Sequence, residues 1–101
     1  MKQISIEEYI NLFKERFGFV RKNWKVKCAK CGEVQSIQDF VDQGIKEPTN
    51  FWGFSCIGRW DKKRGCDWTL GGLFQIHTLE VIDAEGKAHP RFEVADNEKG
   101  T

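Results

Sequence analysis

Four cysteines constrain this chain more than any other feature: Cys28, Cys31, Cys56 and Cys66. The first pair stands in the quintet Cys28-Ala-Lys-Cys31-Gly32. Two thiolates separated by two residues can chelate one ion if the backbone turns tightly between them, and the glycine that follows tolerates the positive φ such a turn often needs. A thioredoxin-like redox pair has the same spacing, but it sits where a strand feeds a helix. Here the pair is followed by Gly-Glu-Val-Gln, the start of a returning strand, and two further cysteines lie downstream. A metal site is the better reading.

Cys56 and Cys66 complete a Cys₄ set, although nine residues separate them rather than the two of a second CxxC. A strand–loop–strand path can bring Cys66 back beside Cys56, with Gly58 and Gly65 as pliable loop ends. Four soft thiolates favour one tetrahedral zinc ion; iron stays open as an alternative. His77 and His89 are reserve ligands only. Four cysteines close such a site to water, which makes it structural rather than catalytic, because metal-assisted hydrolysis needs an open position. The chain also lacks HExxH, a glycine-rich phosphate loop and a GxSxG elbow. A non-enzymatic protein is expected, with no small-molecule substrate.

A chain of 101 residues is one small domain whose core leaves little margin over conformational entropy, so a metal staple fits its size. No run approaches the roughly 18 apolar residues of a membrane span. After Met1 no signal-peptide core is apparent. The reading is a soluble cytoplasmic protein in a reducing compartment, without membrane contact.

Residues 5–17, SIEEYINLFKERF, are expected to form a helix. Ser5 and Glu8 make a capping box, Ile4 can staple onto Tyr9, and Ile6, Ile10, Phe13 and Phe17 recur at helical spacing before Gly18. That stripe could fill a partner's groove, but docking on the protein's own sheet is the preferred reading. Trp24, Val26 and Cys28 alternate with Lys25 and Lys27 as in a strand with one covered face. The strand resumes over Glu33 to Gln35, and SIQDFVDQG is a short helical turn capped by Ser36 and Asp39. Phe51 to Cys56 is expected to be a strand. A bulge is expected at Gly71–Gly72, then a hairpin around Glu85–Gly86 flanked by Leu79, Val81, Phe92 and Val94. The fold class is α+β: a zinc-ribbon-like domain with an N-terminal helix on antiparallel strands and hairpins. The zinc-binding region covers 24–70, the C-terminal hairpin 72–95 and a frayed tail 96–101.

The order of W-K-V-K-C-A-K-C-G-E-V-Q, Asp39–Phe40, S-C-I-G-R (Ser55 to Arg59), G-C-D-W (Gly65 to Trp68) and G-L-F (Gly72 to Phe74) resembles a family of small phage and prophage zinc-binding proteins of unassigned function. The likeness covers roughly Tyr9 to Ala95. It implies a bacterial host cytoplasm and a role in host takeover or counter-defence, such as inhibiting a nucleic-acid-binding complex.

Charge is distributed unevenly. Lys14 to Arg64 holds twelve basic and six acidic residues, a balance of +6, whereas Gly65 to Thr101 holds three and seven, a balance of −4. The loop SCIGRWDKKRGCDW sets Arg59, Lys62, Lys63 and Arg64 around Trp60, between two cysteines. With Lys25, Lys27 and Lys30 it forms a candidate contact surface for a host protein or nucleoprotein complex. Direct binding of nucleic acid through phosphates, with Trp60 stacked on a base, is the alternative. The bland reading is a solvated connector with Trp60 packed on the core.

Overall fold

The computed structural model describes residues 2–69 and 78–95. The expected bulge at Gly71–Gly72, the G-L-F block, His77 and the tail over 96–101 lie outside the described residues.

Two three-stranded sheets share one helix. The first sheet has the order β1 (Lys2–Ser5), β4 (Leu79–Ile82), β5 (Ala88–Arg91); the second has β3 (Val34–Ser36), β2 (Lys25–Lys27), β6 (Glu93–Val94). The class is α+β. Helix α1 (Ile6–Phe17) starts at Ser5, whose hydroxyl accepts from the Glu8 N–H while the Glu8 carboxylate accepts from the Ser5 N–H. The capping box therefore forms as the sequence suggests. The helix packs on β1 and β4 of one sheet and on β6 of the other.

The apolar stripe of α1 faces the protein's own interior, as expected, except Ile6 at its start, which is exposed. Phe13 is 1% exposed and stacks on Trp24 at 5.0 Å and 6°. Tyr9 meets it edge-on at 4.8 Å, and Trp52 closes the cluster at 5.0 Å. The buried Tyr9 hydroxyl donates to the Phe92 carbonyl at 2.8 Å, so its polar atom enters the core already satisfied. Phe92 itself is fully buried, and its N–H donates to the Gly53 carbonyl at 2.8 Å. That one residue separates β5 from β6, so the chain passes between the sheets at Phe92.

Two features depart from the sequence reading, and a third, the C-terminal hairpin, follows it. β1 was not expected, and it pairs with β4 in parallel, Lys2 against Leu79 through Ser5 against Ile82. Four residues ending on a strong helix cap carry too little pattern to announce a strand. The segment from Phe51 to Cys56 is not a strand. Pro48–Asn50 is a 3₁₀ turn, and turns continue as Trp52 N–H donates to Pro48 O and Ser55 N–H to Phe51 O. Pro48 presets the φ that starts this winding, and only Ser55 makes a bridge, to Thr69. The hairpin of β4 and β5 turns through Asp83–Lys87, with Glu85 and Gly86 at its tip.

Candidate metal centre

β2 delivers Cys28 to a tight turn. The Cys28 N–H donates to Glu33 O at 2.9 Å and the Gly32 N–H to Cys28 O at 3.1 Å, which folds Cys31 back over Cys28. The second pair is built differently. Cys56 precedes a 3₁₀ turn, Ile57–Arg59, and its N–H donates to Trp68 O at 2.9 Å, holding the two ends of the long loop together.

Gly58 and Gly65 do more here than supply pliable ends. A Cβ on Gly58 would lie 2.2 Å from the Cys66 carbonyl oxygen and 2.5 Å from the Cys66 nitrogen. Gly65 has φ +58°, and a Cβ there would stand 2.6 Å from the Cys56 sulfur. The loop closes only because both side chains are absent.

The four sulfurs lie within 4.8 Å of one another. Cys28 and Cys66 are 3.7 Å apart, as are Cys31 and Cys56. A disulfide would need about 2.0 Å. A tetrahedron of thiolates at the ordinary ~2.3 Å metal–sulfur distance has edges of about 3.8 Å, close to both spacings. The four cysteines are thus a possible metal site, with Cys28 and Cys56 buried, Cys66 half-buried and Cys31 exposed.

Backbone N–H groups converge on the sulfurs. Those of Cys31 and Lys30 face Cys28, that of Glu33 faces Cys31, and that of Trp68 faces Cys66. The Cys66 N–H donates to the Cys56 sulfur at 3.3 Å. A divalent ion with four thiolates carries two net negative charges, and these donors stabilise them. Without an ion, burial pushes the Cys28 thiol up to about 12 despite its N–H partners. Burial likewise raises Cys66. Cys31 is held below its usual value: burial opposes this, but the Glu33 N–H and the neighbouring thiols outweigh it.

The two halves of the site are joined by a residue the sequence reading missed. Gln35 is fully buried, donates to Trp52 O at 2.7 Å and Ser55 O at 2.9 Å, and accepts from the Ile57 N–H at 2.7 Å. Its amide thus fixes the backbone on both sides of Cys56 from a strand next to Cys31. A glutamine between Val34 and Ser36 at an inward strand position was the one available signal.

The proposed contact residues divide into two groups. Trp60 is turned inward, edge-on to Phe40 and Phe51 at 5.4 Å each. Arg64 reaches Glu33 at 2.8 Å and Asp39 at 3.3 Å, and donates to Val34 O. These two side chains hold the loop to α2 (Ile37–Asp42), β3 and the first turn. Arg59 donates to the Thr69 hydroxyl and lies over the Trp60 ring. Lys30 stands 4.9 Å over Trp68. Lys62 and Lys63 are exposed on the loop, and Lys25 and Lys27 on β2. His89 pairs with Asp83 at 2.8 Å, outside the sulfur cluster.

Fold and site together define a small α+β domain organised around a four-cysteine cluster. The chain belongs to the VVA0879-like family, whose model matches residues 5–95. No curated protein and no solved structure matches it. Among the described residues no helix is long and apolar enough to cross a membrane.

Proposed function

We propose that this chain is a zinc-stabilised, zinc-ribbon-like binding domain that performs no chemistry at its metal. One observation carries the reading: four cysteine sulfurs within 4.8 Å, at spacings suited to a tetrahedral ion with every position filled by protein. Four thiolates favour zinc, and a filled coordination sphere supports a structural role.

The partner in this reading is a host protein or nucleoprotein complex, met in a bacterial cytoplasm by a phage or prophage product. Its support is the basic middle of the chain, whose exposed lysines 25, 27, 62 and 63 remain on the surface after Arg64 and Trp60 have been drawn into the fold. Engagement of those two within the fold leaves fewer loop groups for phosphates and bases, which favours a protein surface over direct contact with nucleic acid.

The test is capture from bacterial lysate with and without nuclease, using the parent and an R59S/K62S/K63S variant, alongside elemental analysis. One zinc per chain and nuclease-resistant capture lost in the variant support the reading. Capture abolished by nuclease transfers the surface to nucleic acid. Iron in place of zinc, or no metal, overturns the zinc assignment.

A further inference from the structure

A cavity of about 330 Å³ lies where the first cysteine turn meets the corner between β5 and β6. The Cys28–Ala29 step forms one wall, and Lys27, Thr78, Arg91, Glu93, Val94 and Ala95 form the rest of its described lining. We propose that this cavity binds a small phosphate-bearing ligand, with Lys27 and Arg91 holding the phosphate.

The charge balance of the cavity leads there. Glu93 lines it, but both carboxylate oxygens are engaged, one by Lys2 at 2.9 Å and the other by the Thr78 hydroxyl. Lys2 thereby offsets the only carboxylate in the described lining; the Cys28 sulfur on the cavity wall is anionic only with an ion bound, and the Cys31 and Lys30 N–H groups face it there. Neither Lys27 nor Arg91 has a carboxylate partner among the described residues. Two cations on one cavity match the roughly −1.5 to −2 charge of a phosphate monoester better than the single charge of a carboxylate.

Arg91 is also positioned in advance. Its guanidinium lies 5.0 Å over the Phe54 ring, its stem packs against Gly53, and one Nη donates to the Pro90 carbonyl at 2.7 Å. A guanidinium has five N–H donors, so most of the fork remains for an oxyanion. Half-burial without a carboxylate lowers its pKa by desolvation while the guanidinium keeps its charge, and a bound anion would offset that desolvation. The volume exceeds what orthophosphate needs and reaches the lower range of ligand sites, while Val94 and Ala95 offer an apolar wall to an attached organic group.

The experiment is a titration of the ¹⁵N-labelled full chain, as purified, with AMP, inorganic phosphate and adenosine. Saturable amide shifts at Ala29, Thr78 and Ala95 with AMP or phosphate, and none with adenosine, support the site. AMP binding more tightly than phosphate identifies a monoester as the source, and equal binding identifies free phosphate. Lys27→Gln should weaken binding about tenfold without altering the melt, since the side chain is exposed and a charge-assisted bond is lost. Arg91→Gln should weaken it at least as much, and Arg91→Lys should recover part of the loss. If the Arg91 variants fail to fold, Lys27→Gln and Lys27→Glu decide. Absence of saturable shifts to about 10 mM, equal response to adenosine, or parental affinity in the Lys27 variants overturns the proposal.

Discussion

Arg64 stands two residues before Cys66 and Glu33 two residues after Cys31, and their side chains meet at 2.8 Å. One ion pair thus ties the second cysteine loop to the first, and Asp39 and the Val34 carbonyl extend it.

Arg64→Ala should therefore lower stability by about 1 kcal/mol, a modest value because both partners are roughly a third exposed and screened by solvent. The K62S/K63S variant should stay within about 0.5 kcal/mol of the parent. Thermal melts of the two variants separate bracing from solvated charge. Equal melting would place Arg64 with the free cations.

If the proposed zinc is bound, its removal should unfold the chain. Structural zinc contributes on the order of 10 kcal/mol of apparent binding energy, comparable with the whole stability of a small domain. Cys31→Ala and Cys66→Ala should each lose cooperative melting, and the parent should lose it with a strong chelator. A bound ion would take all four sulfurs as thiolates, and burial raises the Cys28 thiol when no ion is bound. Metal binding therefore releases protons, and affinity falls as pH falls. A cysteine variant with unchanged melting would exclude a structural ion.

Gly58→Ala carries a sharp expectation. The added methyl would meet the Cys66 backbone at 2.2 Å, and backbone cannot turn aside as a side chain can. A cost of about 2 kcal/mol or more is expected, with faster metal release to a chromogenic chelator. Normal melting and release would show that the loop closes in another way.

Gln35→Leu keeps the volume but strips partners from Trp52 O, Ser55 O and the Ile57 N–H, all in buried surroundings. Each orphaned group costs about 1–3 kcal/mol, so urea denaturation should show a loss of at least ~3 kcal/mol. A loss under ~1 kcal/mol would reduce Gln35 to a packing residue.

Much of the four-cysteine cluster could be read in the chain, because CxxCG is a local signal and four cysteines leave few ways to combine. The helix and its cap were also local, as were the Ser36–Asp39 cap and the C-terminal turn. What escaped was non-local. Strand β1 exists because of β4, the turns after Pro48 are held by an amide from Gln35, and Trp60 turns inward because Phe40 and Phe51 receive it. Loop composition alone made Arg64 look like a surface cation, since Glu33 and Asp39 are far from it in sequence.

The parallel pairing of Lys2–Ser5 with Leu79–Ile82 has a consequence for the order of events during synthesis. All four sulfurs have been made once Cys66 is complete, but the first strand must wait for a partner that emerges only afterwards. We expect a nascent chain halted shortly after Trp68 to bind zinc while its first residues remain open to protease. Addition of the segment through Ala95 should then protect them. Protection of Lys2 before Leu79 has been synthesised would show that the first sheet has another way to begin.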